Sequence, residues 1–163
     1  MQLDIRKYLS RQSVDLQGEY LLDLSSYPVS AELTLSEPVK VSWHCRSRGT
    51  NALDLSLEIA FKANVQCARC LKELERSYRF DPEYTLYRED YECEEPELPF
   101  SADGKLDLDE LAYSEISLGM PSVILCSSQC EGLCPVCGRP RAERCGCDEN
   151  ADGRPSAFHQ LLS

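Results

Sequence analysis

Six of the ten cysteines crowd into "CSSQCEGLCPVCGRPRAERCGC", from Cys126 to Cys147, and "CARC" sets two more at Cys67 and Cys70. Thiols in such numbers staple, react or hold metal. Zinc takes four ligands in a tetrahedron, usually delivered in pairs from tight turns. The paired spacings here are Cys67/Cys70, Cys126/Cys130, Cys134/Cys137 and Cys145/Cys147, with Cys45 and Cys93 alone. "CPVCG" is the strongest of these signals. Pro135 preshapes its turn, and Gly138 lets the backbone turn tightly enough to aim amides at the sulfurs.

Eight paired thiols allow two sites. One is local, from Cys134, Cys137, Cys145 and Cys147. The other is long-range, from Cys67, Cys70, Cys126 and Cys130, and would clip a hairpin tip to the C-terminal segment. In the other possible division Cys126 or Cys130 joins Cys134 and Cys137, leaving "CGC" idle. The metal expected is Zn2+, in one or two structural sites, because closed cysteine quartets in a chain without redox signatures favour zinc. A redox "CxxC" belongs at a helix N-terminus, where the dipole lowers a thiol pKa. "CARC" instead ends a strand. Disulfides are rare in a reducing compartment, and "MQLDIRKYLSRQ" has no secretory signal, so a cytoplasmic protein is expected. No apolar run reaches membrane-spanning length. Cys45 reads as a buried thiol and Cys93 as incidental.

Catalytic patterns are missing. His44 and His159 are the two histidines, and no motif joins either to a nucleophile or base; no glycine-rich phosphate loop appears. An all-cysteine site has no open position for substrate. The expectation is a protein that is not an enzyme.

The elements that must position these thiols are legible as patterns. "LDLSLEIAFKANVQC" puts Leu53, Leu55, Leu57, Ile59, Phe61, Ala63 and Val65 on one side and polar residues on the other, as a half-buried antiparallel strand does. Its mate runs through "LKELERSYRFDPEYTLY", with Leu74, Tyr78, Phe80, Tyr84 and Leu86 in one parity. The pair predicts a long hairpin with "CARC" at its tip. "PVKVSWHC" alternates as well, and weaker strand signals lie at 14–24 and 31–35. "DLDELAYSEISLGMP" predicts a helix: Asp107 caps it, Glu110 closes a capping box, and Leu108, Leu111, Ala112 and Ile116 form its apolar stripe. Gly119 and Pro121 stop it. A short helix is expected in "RPSAFHQLL", with Pro155 at its start and Phe158, Leu161 and Leu162 inward. The fold class is thus α+β: an antiparallel β meander or small barrel-like sheet with a long hairpin, one or two short helices and a cysteine-rich zinc-binding end. The expected division is 1–120 for the β-rich part and 121–163 for the cysteine-rich segment and terminal helix, packed on the first part.

The net charge of −11 is uneven. Residues 80–118 hold thirteen acids against Arg88 and Lys105, whereas residues 40–79 hold eight Lys and Arg against four acids. A globally acidic protein binds polyphosphate poorly without a local basic face. Two groups of cations are candidates for RNA contact: Lys62, Arg69, Lys72, Arg76 and Arg79 on the hairpin, and Arg139, Arg141 and Arg144 beside the local thiol site. The same arginines could instead screen thiolate charge, or simply lie on a solvated face. The acidic stretch from Tyr87 reads as a solvated loop, or as a holder for a basic protein.

The ordered set "CARCL", acidic loop, "DLDELAYSEISLGMP", "LCSSQCEGLCPVCG", "CGC" and "DGRPSAFHQLL" resembles the YceD family, the large ribosomal RNA subunit accumulation proteins. The resemblance implies a non-enzymatic ribosome-biogenesis factor that supports 23S rRNA accumulation and large-subunit assembly. Its implied partners are large-subunit rRNA, a basic large-subunit ribosomal protein, or both. One departure is local: the family often shows "DPR" before the last helix, where this chain has Asp152-Gly153-Arg154-Pro155. Two other classes stand beside this reading. One is a zinc-stabilised protein–protein adaptor without RNA contact. The other is a thiol redox or zinc-dependent enzyme.

Overall fold

The computed structural model describes residues 1–11, 13–28, 34–49, 51–144 and 146–147. Their chain order is β1 (Gln2–Asp4), α1 (Ile5–Leu9), β2 (Asp15–Leu22), β3 (Thr34–Leu35), β4 (Val39–Arg48), β5 (Ala52–Gln66), β6 (Glu73–Phe80), β7 (Glu83–Tyr87), α2 (Glu89–Glu92), β8 (Lys105–Asp107) and α3 (Leu108–Gly119). Short 3₁₀ turns lie at Leu24–Ser26 and Arg141–Glu143. The class is α+β, built on antiparallel sheets with few short helices. The expected helix at 155–162 lies outside the described residues, as do 31–33 of the expected strand at 31–35.

The chain divides into two compact units. The first comprises Met1–Val65 and Glu75–Ser122; the second takes in Gln66–Leu74 and the described residues from Val123 onward. Among the described residues, no helix is long and apolar enough to cross a membrane.

The first unit is organised around β5. Its alternation does what the period requires: Leu53, Leu55, Leu57, Ile59, Phe61, Ala63 and Val65 are all buried. Strand β4 pairs along one edge of β5, from Lys40 opposite Ala60 to Arg48 opposite Ala52, and β2 pairs with β4 in turn. On β4, Val39, Val41, Trp43 and Cys45 are buried. Gly18 sits opposite Trp43, and a Cβ there would come within 2.9 Å of the indole, so only glycine lets that ring lie across β2.

The expected mate of β5 is two strands rather than one. Both β6 and β7 pair with β5, and the break falls at Asp81-Pro82. Proline has no N–H to give the ladder, but its carbonyl still accepts from Leu57 N at 3.0 Å. The break re-aims the chain without abandoning the edge. Phe61 stacks on Tyr78, with ring centroids 5.3 Å apart, which ties β6 to the apolar side of β5.

Helix α3 forms where the apolar stripe requires it, with Leu108, Leu111, Ala112 and Ile116 buried. Asp107 caps it, its carboxylate accepting from Asp109 N and Glu110 N. The reciprocal half of the expected capping box is displaced, because Asp107 N donates to Pro99 O at 3.0 Å. Gly119 does not terminate the helix. It lies within the last turn against Phe80, where a Cβ would fall 2.5 Å from the ring. Its service is close approach, and the stop follows at Met120-Pro121.

Four elements went unread in the sequence: β1, α1, β8 and α2, the last a short helix inside the acidic stretch expected to be loop. Strand β1 pairs with β8, Leu3 opposite Leu106, across a hundred residues of chain. Asp4 caps α1 by accepting from Lys7 N at 2.9 Å.

Candidate metal centre

The second unit begins with the hairpin tip. Cys67 N donates to Lys72 O at 2.9 Å and Leu71 N to Cys67 O at 2.9 Å, closing a tight knuckle around "CARC". Leu71, just past the second thiol, sits at φ 59°, a left-handed position unusual for a leucine. Ala68 N donates to Ile124 O at 2.8 Å, and the Arg69 guanidinium donates to Cys130 O at 2.9 Å. Gly132, at φ 79°, passes so close that a Cβ would lie 3.2 Å from Arg69 O. These bonds hold the knuckle against the segment that carries Cys126 and Cys130.

The result brings four sulfurs together. Cys67 Sγ lies 3.8 Å from Cys130 Sγ, and Cys70 Sγ lies 3.6 Å from Cys126 Sγ. All four Sγ atoms fall within 4.8 Å of one another. A tetrahedral site with metal–sulfur bonds of about 2.3 Å has edges of roughly 3.8 Å, so the quartet fits such an ion. Disulfide sulfurs would sit at about 2.05 Å, and these four thiols are free.

Electrostatics divide the thiols. Burial pushes Cys67 up, but the backbone N–H groups of Cys126, Cys70 and Arg69 more than offset this and bring it down to about 6. Cys126 is pushed up to about 12, first by its hydrogen bond with Cys130, then by that with Cys70 and by burial. Of these two, Cys67 gives up its proton more readily than Cys126, and a bound cation favours the thiolate form of any thiol that ligates it.

A second group gathers at Cys134, Cys137 and Cys147, whose Sγ atoms also lie within 4.8 Å of one another. Cys145, the expected fourth member, lies outside the described residues. The local backbone repeats the first knuckle: Cys134 N donates to Arg139 O at 2.7 Å, Gly138 N donates to Cys134 O at 2.8 Å, and Gly138 takes φ 72°. Both groups could hold a metal ion.

The other singled-out thiols sit elsewhere. Cys45 is wholly buried in the first unit, and burial, with Asp54 second, raises it to about 11. Cys93 is exposed.

The expected RNA-contact cations fall in both units. In the first, Lys62 pairs with Glu37 at 2.8 Å, Arg79 pairs with Glu58 and Asp81, each at 3.0 Å, and Arg76 is exposed. In the second, Arg69 is held by Cys130 O, Lys72 is exposed, and Arg139, Arg141 and Arg144 flank the second thiol group, with Arg144 at φ 45°. The hairpin cations thus do not form one unneutralised stripe. The sequence reading also missed a pairing: His44 Nε2 meets Asp15 Oδ1 at 2.7 Å on an exposed strand face. Only the β2–β4 register brings them together, and no motif carries that information.

The fold and the site together define a small α+β protein, built on antiparallel sheets, with two thiol groups that could hold metal. The chain belongs to the YceD family, described as large ribosomal RNA subunit accumulation protein, whose model matches residues 55–162, more than half of the sequence. The family's name links it to the large ribosomal subunit. No curated protein and no solved structure matches the chain.

Proposed function

We propose that this protein is a non-enzymatic, zinc-stabilised ribosome-biogenesis factor that supports 23S rRNA accumulation and large-subunit assembly in the cytoplasm. One observation carries the reading. The segment matched by the family, residues 55–162, contains both thiol groups, so the link to large-subunit rRNA falls on the part of the chain that metal would organise. Thiolate donors in a tetrahedral quartet favour zinc over the oxygen-seeking cations. A four-thiolate shell leaves no open coordination position, so the ion acts by fixing backbone, not by activating water.

The partners in this reading are large-subunit rRNA and a basic ribosomal protein of the same subunit. Thirteen acids in residues 80–118 suit the latter, and clustered cations elsewhere suit the former.

The test is a ribosomal-subunit profile after depletion, with pull-down of the tagged full chain from the same cells. A deficit of large subunits and recovery of large-subunit rRNA is the expected result. Recovery of ribosomal proteins without rRNA would replace the reading with that of a protein–protein adaptor. Normal subunit profiles would overturn it.

A further inference from the structure

Two cations without an acid partner lie away from the hairpin. Arg6 and Lys7 lie side by side on α1, exposed, and among the described residues neither side chain has an acid partner. Asp4, the nearest carboxylate in sequence, is occupied by the backbone N–H of Lys7. Arg6 and Lys7 line a concavity of about 520 Å³ in the first unit, together with Arg88 and Lys105. These four cations come from three places in the chain, and they meet because β1 pairs with β8.

The convergence is built, not incidental. Gly104, at φ 78°, forms the turn into β8, and a Cβ there would meet the Arg6 side chain at 3.1 Å and the Tyr91 ring at 3.2 Å. Arg6 N donates to Gly104 O at 3.4 Å. Only glycine allows α1, the β8 turn and α2 to close to this distance. Two acids, Asp4 and Asp103, share the concavity. Asp103 pairs with Lys105, Asp4 keeps its charge while accepting from Lys7 N, and Arg88 reaches Glu92 only at 4.0 Å, which leaves the lining net positive. In a chain of net charge −11, a concavity lined by four cations and two acids favours a ligand of opposite sign.

We propose that this concavity binds the phosphodiester backbone of RNA, with Arg6, Lys7 and Arg88 as the contacting cations. Two arginines offer planar forks that match phosphate oxygens, and Ser10 on the same lining adds a hydroxyl. The proposal rests on the rRNA reading above and gives it a surface. It also moves the contact away from Lys62 and Arg79, whose charge is already neutralised by neighbouring acids.

The test uses the full metal-loaded chain and a fluorescein-labelled single-stranded RNA of mixed sequence, titrated by anisotropy at several salt concentrations. Removing one cation from a phosphate lowers the salt slope by about 0.7 for single strands. Arg6→Gln/Lys7→Gln should therefore reduce the slope by roughly 1.4, and weaken affinity about tenfold or more at ~0.1 M salt. Arg88→Gln, on a different element, should reduce the slope by roughly half as much, while Arg79→Gln should leave it unchanged. Thermal melts establish that the variants are folded. An unchanged slope in Arg6→Gln/Lys7→Gln overturns the site. Displacement of the RNA by polyglutamate at equal affinity also overturns it, in favour of an acidic polypeptide. Absence of RNA binding by the unmodified chain, alongside a large-subunit deficit on depletion, sinks this surface and leaves the assembly reading standing. Absence of both sinks the two together.

Discussion

The knuckles at Cys67–Leu71 and Cys134–Gly138 are the same backbone device under different support. In each, the N–H of the first cysteine donates to the carbonyl five residues on, and the residue after the second cysteine donates back to the first. Each needs a left-handed residue just past the second thiol. The second knuckle uses Gly138, with nothing within 4 Å of where a Cβ would be. The first uses Leu71, which is 58% exposed and gains little from burial there. A non-glycine residue in that region costs about 1–2 kcal/mol. That cost is tolerated where the surroundings over-determine the turn. Around Cys67 they do, through Ala68 N to Ile124 O, Arg69 to Cys130 O, and Gly132 beneath Arg69. Around Gly138 the Leu133–Pro140 bridge and the bond from Arg141 N to Gly132 O at 3.0 Å support the turn, and glycine itself removes the strain. The same motif can thus be held by packing or by residue choice.

The largest test of this contrast removes the first knuckle's thiols. Cys67→Ser/Cys70→Ser should lose one equivalent of bound zinc by elemental analysis, and hydrogen exchange across 66–74 should rise to that of an open loop. Structural zinc contributes on the order of 10 kcal/mol of apparent binding free energy, so partial retention is not expected. Unchanged metal content would dissolve the proposed quartet.

Next in size is Gly132→Ala. It meets both a left-handed backbone and a close carbonyl, so it should destabilise the first knuckle by roughly 2–3 kcal/mol and the second by less, through the bond that Arg141 N makes to Gly132 O. Site-resolved hydrogen exchange distinguishes the two. Equal loosening of both knuckles would mean that their supports are shared.

Cys45 offers the contrast of a thiol with no cation in reach. Its folded pKa, about 11, lies above the unfolded thiol value, so its contribution is complete below about pH 8.5 and is lost as pH rises through 11. Across that window the loss approaches about 3 kcal/mol, from 1.36 kcal/mol per pH unit. Cys45→Val should flatten this part of the alkaline stability curve measured by denaturant melts. A curve that matches the unmodified chain between pH 9 and about 10.5 would show that Cys45 does not titrate there.

The smallest expected effects come from exchanging the residues that differ. Gly138→Leu should cost the second knuckle about 1–2 kcal/mol through its backbone alone, because a Cβ there meets nothing within 4 Å. Leu71→Gly should gain at most about 1 kcal/mol, since relief of strain is partly offset by the freer unfolded chain. Equal and opposite shifts in metal retention under a chelator would confirm that backbone preference alone separates the knuckles. A weaker hold on metal in Leu71→Gly would show instead that the leucine side chain itself supports the turn.

Much of the positioning scaffold was legible in advance, because its rules are local. The buried side of β5 follows from a period of two, and the stripe and cap of α3 from a period of 3.6 and one aspartate. Gly138 announced its turn. Leu71 could not, since nothing in its chemistry asks for a left-handed backbone. The reach of one thiol pair to another, Cys67 to Cys130, was legible only as chemistry that wanted four ligands.

The sequence by itself determined the alternating strand, the capped helix and the supply of paired thiols, because each depends on neighbours a few residues apart. Tertiary structure decided which charges meet partners or one another across the fold. Lys62 and Arg79 found acids across a strand register, and Arg6, Lys7, Arg88 and Lys105 met through a β1–β8 pairing. Coulomb interactions follow distance in space, and distance in space between residues a hundred positions apart is set by the fold.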